Sequence, residues 1–273
     1  MQRSRKKEIL KIEDIQKDSI ILWVATGSPL EVKNRLDKDG FSNISYLAFC
    51  KYSNFDLAHP PFIMDFKDNY INNPERYSRV YDLLADKKSK EVFKKVINFK
   101  ITFDYSFMDG FTNNHKEQYF DKELIPEIKN ISFFDGGGYV GDTATEVIKN
   151  YPDFKKIWLV EPISQNIRIA KRELGHYENI EFLNCGVSNK KETLYFNEEK
   201  SFSTIYGHGT QSVEVDTIDN IVKEKVDFIK LDIEGAEQDA IDGAKESIKN
   251  INPSSLSAFI IRLRIGIKYQ KKF

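Results

Sequence analysis

The stretch Phe133-Phe134-Asp135-Gly136-Gly137-Gly138-Tyr139-Val140-Gly141-Asp142 decides the fold. An apolar run, ISFF, reads as a buried strand that delivers Asp135 to its carboxyl end. Gly136, Gly137, Gly138 and Gly141 let the backbone approach a ligand closely before a helix begins near Asp142 or Thr143. The next apolar run, IWLVEP, ends in Glu161, 20 residues beyond Gly141. An acidic side chain at the tip of a second strand accepts ribose hydroxyls, and Pro162 turns the chain there.

Working outward, strand-like and helix-like segments alternate with short turns: TATEVIKNY, KIWLVEP, QNIRIAKREL, IEFLNCGV and DFIKLDIEG. This predicts an α/β fold, a Rossmann-like, mostly parallel sheet covered by helices, with ligands at the carboxyl ends of the strands. Dinucleotides and S-adenosyl-L-methionine both suit that layout. A pyrophosphate wants bare amides, whereas Asp135 and Asp142 bracket this loop; two carboxylates repel phosphate and suit the ammonium of a methionine moiety. The methyl donor is the favoured cofactor, and an NAD-binding enzyme stays as an alternative.

Two further segments complete the candidate site. In Asn179–Ser188, Asn184 and Gly186 close a third strand where an adenine edge would lie, while Cys185 reads equally as a small buried thiol. In Val226–Gly243, Phe228, Ile229, Leu231 and Ile233 read as sheet interior. Period two brings Lys230 and Asp232 to one face, and charges on so apolar a strand need partners. Glu234-Gly235 then turns into a helix carrying Glu237. Residues 190–196 and 211–215 read as an edge hairpin, and His208 as a turn residue.

Towards the N-terminus, residues 1–58 read as a β-α-β accessory subdomain: a strand over Ser19–Gly27, a helix closed by Gly40, and a second strand over Ile44–Cys50. Thr26-Gly27-Ser28-Pro29 supplies only one glycine of a dinucleotide fingerprint, so a structural role is expected. Residues 59–130 form a helical and aromatic linker with two helices between Pro74 and Phe99. Its aromatics from Phe103 to Phe120 pack on a neighbour or line an acceptor pocket.

The 273 residues carry 41 Lys plus Arg against 42 Asp plus Glu, a net charge of -1 that gives no general pull towards nucleic acid. No apolar run approaches the roughly 18 residues of a membrane span, so no membrane insertion is expected. Cys50 and Cys185 lack ligand spacing and read as reduced thiols of a cytoplasmic protein, and no motif demands a metal. Nothing in the sequence sets an oligomeric state.

DGGGYVGDTA, WLVEP, CGVS, VDTID and DFIKLDIEGAEQDAIDGA, in this order, resemble the FkbM family of S-adenosylmethionine-dependent methyltransferases over about Ile131–Pro253. The resemblance implies a class I methyltransferase domain over 131–253 and O-methylation of a small-molecule or glycan acceptor. It implies that Asp135, Gly137, Gly141 and Glu161 hold the cofactor and that Asp232 and Glu234 border the reaction centre. Methyl transfer to a hydroxyl needs a base, for which Asp232 is the first choice. Lys230 would stabilise the alkoxide or keep Asp232 ionised, and Glu234 would accept a sugar hydroxyl. Tyr139 departs from the pattern, standing where many relatives carry Asn. The N-terminal region loosely resembles one found in bacterial members associated with surface glycans. A non-catalytic methyltransferase-fold binding module is the competing reading.

Relatives continue beyond Pro253 with a strand resembling PKLAICVYHKAEDL. One degenerate back-translation of this chain yields that reading with a single inserted base. Residues 254–273 are therefore expected to be an atypical, frameshifted tail, with Ser257–Ile267 drawn to the vacant sheet edge and with weak or absent activity.

Overall fold

Charge placement and alternating hydrophobicity resolve into two separate units in the computed structural model, one built from residues before Asn114 and one from Asn114–Ile265. The structure describes residues 9–25, 28–57, 66–111, 119–120, 127–196, 211–233, 235–250 and 259–261.

In the first unit β1 (Ile20–Trp23), α1 (Pro29–Lys38) and β2 (Ser42–Ser45) form the expected β-α-β, with the strands parallel and Trp23 opposite Ser45. Trp23, Leu36 and Phe41 fill its core. The second strand is shorter than the sequence predicts. Ser45 caps a helix instead, its hydroxyl accepting from the Ala48 N–H, and α2 (Tyr46–Tyr52) takes up the rest of ISYLAFC. That cap outweighs the β preference of the aromatic run. Among the described residues α3 (Phe66–Asn72), α4 (Pro74–Leu83) and α5 (Lys87–Thr102) follow, the last two being those expected between Pro74 and Phe99.

The second unit is built on β3 (Ser132–Gly136), α6 (Asp142–Asn150), β4 (Lys156–Val160), α7 (Ser164–Leu174), β5 (Ile180–Leu183) and β9 (Phe228–Leu231). A last strand, β10 (Phe259–Ile261), gives a parallel sheet in the order β10-β9-β3-β4-β5. Thus Phe259–Ile261, within the segment expected at the sheet edge, pairs with β9, and the rest of that segment lies outside the described residues. A smaller sheet holds β6 (Gly186–Val187), β8 (Gln211–Asp216) and β7 (Glu192–Phe196), and the antiparallel pairing of β7 with β8 is the predicted hairpin. Short helices α8 (Ile218–Ile221), α9 (Glu237–Asp242) and α10 (Lys245–Lys249) flank β9 in sequence.

Successive side chains of each strand point to opposite faces, so the main sheet has two cores. Phe133, Ile157, Leu159, Ile180 and Phe228 pack with Ala144 and Val147 of α6 and Ile167, Ala170 and Leu174 of α7. Phe134, Trp158, Val160, Ile229 and Leu231 pack with Ile218, Val222, Ala240 and Ala244. Helices on both faces explain why the strands read as continuous apolar runs. Phe228 is fully buried, its ring edge-on to Phe133 at 5.1 Å and to Phe120 at 6.1 Å. Phe228→Ala is expected to destabilise by about 3–5 kcal/mol, read as a fall in the urea midpoint; a change under about 1 kcal/mol would mean that the cavity collapses freely.

Candidate active site

At the carboxyl ends of β3 and β9, two charges face each other across the sheet. Asp135 and Lys230 are register partners. The Lys230 ammonium donates to Asp135 Oδ1 at 2.9 Å and to Gly137 O at 2.8 Å. Relative exposures of 0% and 3% put this pair inside the protein. Burial pushes the Asp135 carboxyl above its ordinary range, Lys230 draws it down, and the carboxylates of Asp142 and Asp232 push it up again. Asp135 Oδ2 is buried without a hydrogen-bond partner among the described residues.

The sequence gives Lys230 to Asp232 or to a developing alkoxide. The structure instead gives its two bonds to Asp135 and the Gly137 carbonyl, because directly opposed residues of paired strands are nearest neighbours. Lys230 is a strut that fixes the loop.

The loop glycines answer to the protein's own packing. Gly137 has φ +75°, and a Cβ there would overlap the Asp232 carbonyl. Gly141, at φ +88°, caps α6 and lies against Leu174 and Leu159. Gly136 ends β3, a Cβ on Gly138 would meet Leu159 at 2.7 Å, and Gly186 opens β6. Tyr139 is 56% exposed and sits at φ +44°, a left-handed conformation that asparagine tolerates more readily than tyrosine.

Glu161 ties this loop to the next turn. Its Oε2 accepts from the Tyr139 N–H at 3.1 Å; its Oε1 accepts from the Ile163 N–H at 3.0 Å and from Asn166 Nδ2 at 3.1 Å. A carboxylate oxygen has two acceptor positions, so Oε2 has capacity for one more donor. Asn184 braces the same turn: its amide donates to the carbonyls of Glu161 and Pro162, while its Oδ1 accepts from Ser164. Cys185 is half-buried, and burial first, then Asp216, raises its thiol to about 11, consistent with an unreactive packing residue.

Asp232 follows β9 directly, its N–H donating to Gly136 O at 3.1 Å. Its half-buried carboxylate accepts from the Tyr119 hydroxyl at 3.1 Å. Glu234 lies outside the described residues. Glu237, on the helix expected after Gly235, is fully buried; its Oε1 accepts from the N–H groups of Ile233 and Gly235, both at 3.2 Å, and so clamps the turn after Asp232. Nothing in the sequence pattern signals this clamp, whereas Tyr119 falls within the aromatics from Phe103 to Phe120 expected to pack on a neighbour or line an acceptor pocket. For the Asp135–Lys230 pair a signal existed, since two opposite charges on apolar strands each require a partner.

The open part of the site is acidic: exposed Asp142 at the start of α6 and half-buried Asp232 both act on Asp135. Among the described residues, Lys230 beside the loop is already paired with Asp135. This set suits a cationic ligand better than a pyrophosphate. Among the described residues no group of three or more His, Cys, Asp or Glu is arranged to hold a metal, and no helix is long and apolar enough to cross a membrane.

Residues 135–264 match the methyltransferase FkbM domain. A methyltransferase FkbM from Methylobacillus flagellatus KT superposes with a TM-score of 0.68 at 20% identity, over 90% of this chain and 64% of that one. The chain therefore spans just under two thirds of that protein. An rRNA methylase from Streptococcus thermophilus gives a TM-score of 0.31 at 12% identity, over 50% of this chain and 64% of that one. No curated protein matches the sequence. The second unit has the parallel α/β fold of class I methyltransferases.

Two outcomes follow from the buried charges. Lys230→Met leaves Asp135 uncompensated and is expected to destabilise by about 3–5 kcal/mol. The double variant Lys230→Met/Asp135→Asn should recover most of that loss in urea unfolding, and a double variant no better than the single one would show that the pair is not the unit. Burial also pushes Glu237 above its ordinary 4.5, against the lowering N–H groups. The folded state thus holds this proton more tightly than the unfolded chain does, and the associated stability is full below pH 4.5 and lost as pH rises through the higher folded value. Glu237→Gln keeps an acceptor without a titrating proton, so a pH series of urea midpoints should be flatter than for wild type.

Proposed function

For a chain that carries a methyltransferase FkbM domain, we propose an S-adenosylmethionine-dependent O-methyltransferase of the cytoplasm, acting on a sugar hydroxyl in surface-glycan biosynthesis. The observation that carries the reading is the acidic rim of Asp142 and Asp232 beside a glycine loop whose neighbouring Lys230 is already paired with Asp135. The residues fit the cofactor: Glu161 Oε2 retains an acceptor position for a ribose hydroxyl, and exposed Asp142 offers a carboxylate to the ammonium. Bound S-adenosylmethionine supplies an electrophilic methyl group. Asp232 orients the acceptor hydroxyl and takes its proton, and Glu234 accepts a second hydroxyl of the sugar. Asp135 and Lys230 hold the loop in place from behind. The glycan acceptor rests on the family resemblance, and residues 1–58 serve as an accessory subdomain.

Calorimetric titration with S-adenosylhomocysteine tests the cofactor. Wild type should bind in the micromolar range, and Glu161→Gln, which turns an amide N–H towards the Tyr139 N–H, should weaken binding by about 10-fold or more. Asp232→Asn should keep affinity within several-fold yet slow methyl transfer by about 10²-fold in a screen of nucleotide sugars and oligosaccharides. A thermal shift with NAD and none with S-adenosylhomocysteine would overturn the proposal.

A further inference from the structure

Tyr119 stands outside the matched residues 135–264 and is 113 residues from Asp232, yet its side chain reaches the centre of the site. We infer that Tyr119 is a positioning residue that sets the orientation of the Asp232 carboxylate, an inference that rests on the methyltransferase reading above. Adjacent side chains divide the task. Phe120 anchors the segment in the core, its ring 6.1 Å from Phe228 and 6.3 Å from Tyr151. Tyr119, only 9% exposed, turns its hydroxyl to Asp232 Oδ2 at 3.1 Å. The Lys230 ammonium lies 5.7 Å from the centre of the Tyr119 ring, so the face that holds the loop strut also bears on this phenol.

The backbone around Asp232 is already fixed, by Asp232 N–H to Gly136 O on one side and by the bond from the Ile233 N–H to Glu237 on the other. What those bonds leave open is rotation of the carboxylate about its own side-chain torsions, and a hydrogen bond to one named oxygen restricts it. A phenol does so without adding a charge. An ammonium in the same place would oppose proton transfer to Asp232, and Lys230 is held away on Asp135 and Gly137. A base whose oxygen must meet an incoming hydroxyl loses rate steeply when it is misplaced, while cofactor binding in the ground state need not change.

Tyr119→Phe keeps the ring and removes only the hydroxyl. It should leave the affinity for S-adenosylhomocysteine and the KM for S-adenosylmethionine within about two-fold and lower kcat by about 10-fold or more. Wild-type kcat, or a parallel loss of kcat and cofactor affinity, would overturn the positioning role. A second measurement needs neither acceptor nor cofactor: protein labelled with ¹³C at the tyrosine ζ carbon, with the Tyr119 resonance assigned by its absence in Tyr119→Phe. In Asp232→Asn that resonance should shift, because the phenol no longer donates to a carboxylate. A Tyr119 signal indifferent to Asp232→Asn would overturn the inference. Absence of cofactor binding by wild type would instead sink the methyltransferase reading and leave the tyrosine signal unaltered, so the two failures are distinguishable.

Discussion

The second unit depends on one buried ion pair. Asp135 and Lys230 lie directly opposite each other in the parallel pairing of β3 with β9, and both are removed from water. Each alone would carry a large desolvation penalty, and together they satisfy one another only in this register. A slip of one residue between the strands would set Asp135 against an apolar neighbour and leave Lys230 in the core without its partner. The pair therefore acts less as a source of net stability than as a condition on how the central strands align.

That alignment propagates to the loop. With Lys230 held against the Gly137 carbonyl, the chain passes so close to Asp232 that residue 137 has no room for a side chain. The glycine-rich turn is thus a product of strand packing as much as of ligand approach. Glu161 and Asn184 extend the same logic to the next strand tip, where one carboxylate gathers the N–H groups of Tyr139 and Ile163 and one amide braces the carbonyls of Glu161 and Pro162. Glu237 repeats it after β9. Glu161 and Glu237 gather backbone N–H groups and Asp135 holds Lys230, leaving Asp142 and Asp232 more accessible to ligands.

This division of labour explains why acidic residues in the motif look alike in sequence and differ in the fold. A carboxylate that accepts several N–H donors is a structural clamp, and one at a half-exposed strand end is a chemical group. Burial distinguishes them, and burial is set by helices packing from both sides of the sheet, with α6 and α7 on one face and α8 to α10 on the other.

Local pattern alone determined the alternating strands and helices of the second unit, the parallel sheet, the turn at 136–141 and the hairpin of β7 with β8, because side-chain periodicity and glycine placement are properties of neighbouring residues. The same local reading extended the second strand through Ile44–Cys50, where a single cap by Ser45 starts a helix instead. Which charges meet was decided by tertiary structure. Lys230 binds Asp135 rather than Asp232, Glu237 faces inward, and Tyr119 reaches Asp232 across 113 residues of chain. Such pairings depend on strand order and register, which join segments whose separation in the chain carries no record of their contact.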